Sequence, residues 1–255
     1  MIEDILAPLV SERFLSDKRY REGHLRVINA LPCRRVLGLH TPEMKQVAKR
    51  LSKEGGVDSI TRFEQSAAAS LTYEETVIWG FLINLQKCRL EERLMMLERY
   101  IPVLDNWAVC DSFCANAKWM GRAGKQSLWN FLLRWFASKR EFEVRFAIVA
   151  SMCYFIDDEW LGQVFEQIER IDFSVIISHY RSAKGRPEHP QMGTVQGASP
   201  YYVRMAVDWL LATALAKFPD ATRAYVRSSS LPDDVIKLYV RKARESFRTR
   251  NVSAF

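Results

Sequence analysis

Apolar residues recur at three- and four-residue spacing along almost the whole chain. After Ser138-Lys139-Arg140-Glu141 come Phe142, Phe146, Val149 and Cys153. After Ser199-Pro200 come Val203, Ala206-Val207, Leu210-Leu211 and Ala214. A helix needs that period to bury one face. Start signals precede the runs. Thr41-Pro42-Glu43 sets a hydroxyl before a proline at a first helical position, and Thr72-Tyr73-Glu74-Glu75 and Ser138–Glu141 have the form of capping boxes. Strand pairs joined by Asn-Gly or Asp-Gly are absent from the sequence. The pattern predicts about twelve to fourteen helices. Their spans are 2–15, 17–30, 41–54, 58–70, 73–86, 89–100, 106–118, 125–137, 140–156, 158–169, 171–180, 200–218, 219–229 and 232–247.

The expected fold class is therefore all-α. Between residues 41 and 180 the helices come in pairs, one pair every 30 to 40 residues. That period suits an α-solenoid of HEAT-like antiparallel pairs, with a compact helical bundle as the alternative. One stretch breaks the pattern. Residues 181–199 contain Gly185, Pro187, Pro190, Gly193 and Gly197 and read as a long loop. Helical patterning resumes unchanged after it, so the chain, 1–255, reads as a single domain.

Composition narrows the classes. Hydrophobic residues make up 48% of the 255 and charged residues 26%, ordinary globular values. No apolar run approaches the roughly 18 residues of a spanning helix, and no basic stretch leads into an apolar run at the start, so a cytoplasmic, membrane-free protein is expected. The five cysteines form no C-x-x-C. Cys110 and Cys114 lie one helical turn apart and read as buried thiols rather than half a zinc site, so no metal and no cofactor are expected. Lys and Arg total 37 against 30 Asp and Glu, a net +7 that permits a polyanionic partner.

Three positions could carry chemistry. Trp107 and Asp111 are four apart and share a helix face. They form either a small site or a core indole beside a carboxylate bonded to its neighbours. Arg145 falls on the apolar side of its helix, where a charge pairs either with a buried carboxylate or with a ligand phosphate. Trp209 is by default core. Gly121-Arg122-Ala123-Gly124-Lys125-Gln126-Ser127 lacks the spacing and preceding strand of a phosphate loop. Basic residues cluster at Lys18, Arg19, Arg21 and Arg26 and again at Lys237, Arg241, Lys242, Arg244, Arg248 and Arg250. Arg241, Arg244 and Arg248 are spaced to share one face of a terminal helix that is either solvated or in contact with phosphate.

The ordered set Asn106-Trp107-Ala108-Val109-Cys110-Asp111, Val144-Arg145-Phe146-Ala147 and Val203-Arg204-Met205-Ala206-Val207-Asp208-Trp209 resembles the DNA alkylation repair family of HEAT-like-repeat alkylpurine DNA glycosylases. Leu37-Gly38-Leu39-His40-Thr41-Pro42-Glu43-Met44-Lys45 is similar to its early turn and basic helix, and Glu74-Glu75 to the acidic start of its next repeat helix. The resemblance runs from about residue 35 to 247. It implies a solenoid with a concave DNA-binding face and catalytic positions at Trp107, Asp111, Arg145 and Trp209. Lys45, Arg204, Arg241, Arg244 and Arg248 are the expected DNA contacts. The implied partner is duplex DNA containing alkylated bases, handled by a monomer. Leu210-Leu211-Ala212 departs from the family pattern, where a basic residue fits better.

The residue types suit the chemistry. A purine alkylated at N3 or N7 is cationic and already a good leaving group. Its departure develops positive charge on the sugar, which a carboxylate stabilises. Indole faces attract cations, and a guanidinium holds a phosphate by two bonds. Two readings of other classes use the same residues: a HEAT-like protein that grips DNA without cutting it, and a helical-repeat scaffold for a protein partner.

Overall fold

The computed structural model describes residues 2–180, 182–183, 186–187 and 200–255. Thirteen α-helices are found among them, and the chain is all-α as expected. The described β structure is slight. Ser182–Ala183 pairs antiparallel with Arg186–Pro187, and Arg140 bridges Ile177. The ladder lies within the expected 181–199 loop, the rest of which is outside the described residues. The chain divides into two compact units, with described residues 2–123 in one and residues 124–180, 182–183, 186–187 and 200–255 in the other.

The first unit holds α1 (Ile2–Leu6), α2 (Glu12–Ser16), α3 (Lys18–Ile28), α4 (Thr41–Gln65), α5 (Tyr73–Leu85), α6 (Leu90–Tyr100) and α7 (Trp107–Asn116). Pro8 divides the single helix expected over 2–15, and a short 3-10 turn, Ala7–Leu9, separates the pieces. The helices expected over 41–54 and 58–70 run together as α4, bent where Gly56 takes φ 49°, ψ −123°. Helix α4 starts one residue earlier than its cap signal implied: His40 is the capping position and Thr41 the first helical residue.

Helix α5 begins where its capping box predicted. Thr72 Oγ1 accepts from the Glu75 amide at 3.1 Å, and Glu75 accepts from the Thr72 amide at 2.8 Å. From Tyr73 to Ile83 nearly every side chain of α5 is buried, against α4, α6 and α7. Glu74 is fully buried in that setting. Its carboxylate accepts the backbone amides of Leu37 at 2.9 Å, Gly38 at 2.7 Å and Leu39 at 3.3 Å. Burial raises its pKa, and the three amides oppose that rise. Gly38 itself sits at φ +97°, and a Cβ there would lie 2.4 Å from the Phe14 ring, so only glycine fits this turn.

The second unit holds α8 (Lys125–Phe136), α9 (Glu141–Tyr154), α10 (Leu161–Glu169), α11 (Tyr201–Lys217), α12 (Pro219–Ser228) and α13 (Asp233–Glu245). Trp129, Phe155 and Trp160 form an aromatic cluster with ring centroids 5.1 to 5.5 Å apart. Alternate helices touch: α9 packs on α11 and α11 on α13 here, as α5 packs on α7 in the first unit.

Three expectations fail in this unit. Residues 171–180 are not helical, because the Ile177 backbone bonds instead to Lys139 and Glu141 at 2.7 and 3.2 Å. The capping box at Ser138–Glu141 is not made. Ser138 bonds Glu143, while Glu141 turns inward to the Tyr202 amide at 2.7 Å and the Ser178 hydroxyl. Cys153, expected on the apolar stripe of α9, is exposed.

Glu74 is the anchor on which the 37–39 turn depends. Glu74→Ala should destabilise the protein by about 3 kcal/mol or more, since it strands three backbone amides, two of them buried. Urea denaturation checks this, and a loss under about 1 kcal/mol would show that the turn finds other acceptors.

Candidate functional site

The start of α7 is held from two sides. Asn106 caps the helix by accepting from the Ala108 amide at 2.8 Å, and its side-chain amide donates to the Ile28 carbonyl at 2.8 Å. The preceding Asp105 pairs with Arg34 at 2.7 Å, and Arg34 also donates to the carbonyls of Ala68 and Leu71. The frame makes Trp107 the first helical residue and sets Asp111 one turn on. Ala108, Val109, Cys110, Phe113 and Cys114 are buried, whereas Trp107 and Asp111 are both half-buried. The pair therefore occupies the side of α7 left out of the core.

Tryptophan burial sharpens this. Trp79, Trp129, Trp135 and Trp160 are buried. Trp119 is half-buried, tied to Asn84 by its indole N–H at 2.7 Å and covered by Arg93 at 4.7 Å. Trp107 and Trp209 are the other two half-buried indoles. The default reading of Trp209 as core is thus corrected: it lies on α11 with part of its surface open. Cys110 and Cys114 are buried thiols on the inner side of α7. Among the described residues no cluster of three or more His, Cys, Asp or Glu could hold a metal ion.

Arg145, in the second unit, is only 4% exposed. It donates to the Tyr202 carbonyl at 2.6 Å and lies 5.7 Å from the Tyr202 ring centroid. Glu141, one turn earlier on α9, accepts the Tyr202 amide, so both ends of that peptide unit's neighbourhood are gripped by α9. Burial pushes the Glu141 carboxyl up to about 7, against Ser178, the Tyr202 amide and the Arg145 charge, which favour ionisation. Arg145 is therefore built into the joint between α9 and α11.

The expected DNA contacts divide. Lys45 lies 5.6 Å from the Phe81 ring centroid. Arg204 forms an ion pair with Asp234 and sits 5.8 Å from the Phe173 ring centroid, so its charge is already met within the protein. Arg241 and Arg244 are exposed on α13, with Glu245 3.8 Å from Arg241. Arg248 does not share their helix face, because α13 ends at Glu245 and Arg248 follows in a turn.

Asp208 is the residue that sequence reasoning quoted without assigning. It is fully buried on α11, beside Trp209 in sequence, and neither carboxylate oxygen has a hydrogen-bond partner. Burial raises its pKa to about 7, opposed by the charges of Lys242, Arg145 and Arg241. Its position between Val207 and Leu211 on an apolar helix was the available signal.

A family model described as DNA alkylation repair enzyme matches residues 17–171, more than half of the chain. The protein belongs to that family, and its role is in DNA repair. No match was found among curated proteins.

The Asp208 pKa has a defined consequence for stability. The folded state keeps the Asp208 proton from its ordinary pKa of 3.8 up to about 7, where the unfolded chain has lost it. Stability must therefore fall as pH rises through that window and level off above it. Asp208→Asn should flatten the decline and raise stability at pH 8 by on the order of 3 kcal/mol. Thermal melts at pH 5 and pH 8 check this, and an unchanged decline in the variant would remove Asp208 as its source.

Proposed function

We propose that the protein is a DNA glycosylase that hydrolyses the N-glycosidic bond of positively charged N3- and N7-alkylated purines in duplex DNA. The observation that carries this reading is the Trp107–Asp111 pair, partly open on the non-core side of α7 and inside the family-matched segment. In the step, the bond between C1′ and the purine nitrogen breaks and its electrons neutralise the cationic base. Positive charge develops on the sugar, where the Asp111 carboxylate stabilises it and orients water. Water adds to C1′ and its proton leaves to solvent.

Trp107 and Trp209 supply indole faces to the cationic nucleotide. Arg145 is buried and bound to the Tyr202 carbonyl, so in this reading it acts as a positioning residue that braces α11, the helix carrying Trp209, and does not itself meet a phosphate. No cofactor or metal takes part in this scheme. The phosphate contacts in this reading are Lys45 in the first unit and Arg241, Arg244 and Arg248 in the second. A second reading, a family member that grips DNA without cutting it, is favoured by the ion pair that holds Arg204 to Asp234 and by Leu210-Leu211-Ala212, where the family pattern favours a basic residue.

Asp111→Asn should retain duplex binding and lose base release from 7-methylguanine DNA, because the amide keeps the shape and lacks the charge. A release rate within about threefold of wild type, under 1 kcal/mol in barrier, would remove Asp111 from the mechanism. Binding without release by the wild type supports the second reading.

Duplex affinity should fall with salt at a log–log slope of about −4 to −5, for about four to six phosphate contacts. Arg241→Ala with Arg244→Ala should flatten that slope by roughly one to two units and weaken all sequences alike. A slope near zero in a filter-binding titration would exclude the phosphate-gripping surface.

A further inference from the structure

The C-terminal helix and tail lie outside the family-matched segment, 17–171, and carry a surface of their own. A groove of about 520 Å³ runs along α13, within the size range of ligand sites. Half-buried Ile236 and Val240 form its floor. Exposed Lys237, Arg241 and Arg244 edge it, and Phe255 walls it. The single acid, Glu245, lies beside Arg241. Phe255 is 47% exposed, and nearby in sequence Phe247 is 81% exposed, the most open large apolar side chain among the described residues. The Arg250 guanidinium stands 4.7 Å from the Phe247 ring centroid, on one face of the ring.

These rings sit on an ordered frame. Thr249 Oγ1 donates to the Ala243 carbonyl at 2.7 Å, and the Tyr239 hydroxyl donates to the Ala254 carbonyl at 3.0 Å. The Tyr239 ring meets the Phe255 ring edge-on at 6.5 Å. A solvated basic helix has no need of two exposed phenyl rings, whose exposure costs hydrophobic free energy. A duplex would use the charges and leave the rings idle, because its base faces are covered by stacking. Unpaired bases use both: the cations track phosphates, and each base has a π-face for an aromatic ring.

We propose that the α13 groove and the following turn bind single-stranded DNA, with Phe247 and Phe255 as stacking platforms and Lys237, Arg241 and Arg244 as phosphate contacts. The surface would hold an unpaired strand near a repair site. This rests on the family's DNA-repair role and not on the glycosylase reading.

The test compares two fluorescein-labelled probes of equal charge, a thymidine oligonucleotide and an abasic backbone of the same length, by anisotropy with the full chain. The wild type should bind the thymidine probe about tenfold tighter or more. Phe247→Ala with Phe255→Ala should bring the two affinities within twofold, whereas Phe247→Trp should keep the preference. Arg241→Ala with Arg244→Ala should weaken both probes alike. Circular dichroism confirms that the variants fold, and Phe247→Ala alone, at an exposed position, should still reduce the preference severalfold. Equal binding of the two probes by the wild type overturns the proposal, as does a preference that survives loss of both rings. Displacement of both probes by an acidic peptide that itself binds more tightly also overturns it, assigning the groove to a protein. Base release from duplex DNA is scored separately, so its absence with the thymidine preference intact counts against the glycosylase reading alone.

Discussion

A backbone amide buried among stacked helices without an acceptor costs about 1–3 kcal/mol, and this chain answers that cost with carboxylates at the first turns of its two most enclosed helices. Glu74 on α5 takes three amides of the 37–39 turn, and Glu141 on α9 takes the Tyr202 amide and the Ser178 hydroxyl. Each carboxylate sits at a helix N-terminus, where the macrodipole favours negative charge. The same device recurs in both compact units and sets the approach of a chain segment that the local sequence leaves open. The 37–39 turn leads into α4, and Tyr202 opens α11, the helix that carries Arg204, Asp208 and Trp209.

Asp208 is the exception to this rule of satisfaction. Two buried oxygens without donors, in a helix that is otherwise well packed, are costly in the ionised state and tolerable in the neutral one. The cations around it belong to the two helices packed on α11: Arg145 on α9 and Arg241 and Lys242 on α13. Arg145 is fixed by the Tyr202 carbonyl. Protonation of Asp208 thus changes the field at Arg145 and at Arg241.

Partial exposure separates the candidate residues from their chemical twins. Four of the seven tryptophans are buried as apolar filling, and Trp119 is tied to Asn84 and covered by Arg93. Trp107 and Trp209 keep open surface. Asp111 is half-buried on α7, whereas Asp208 is fully buried on α11. The basic residues sort in the same way. Arg145 and Arg204 serve the protein's own polar groups, whereas Arg241 and Arg244 face outward.

Helix identity was legible in the sequence because it depends on local periodicity and caps. The Thr72–Glu75 box predicted the start of α5 to the residue, and the pairing of Trp107 with Asp111 on one face of α7 followed from a spacing of four. Tertiary structure decided what local pattern does not encode. The Ser138–Glu141 signal has the letters of a capping box, yet Glu141 is drawn to an amide 61 residues away, and the Ile177 backbone bonds beside it where a helix was expected. Burial decided whether Trp209 was core, whether Arg145 met a carbonyl or open solvent, and whether Asp208 had any donor. The physical reason is range. A helix forms from contacts three and four residues apart, whereas the desolvation that sets a side chain's charge and exposure comes from whichever distant segment packs against it.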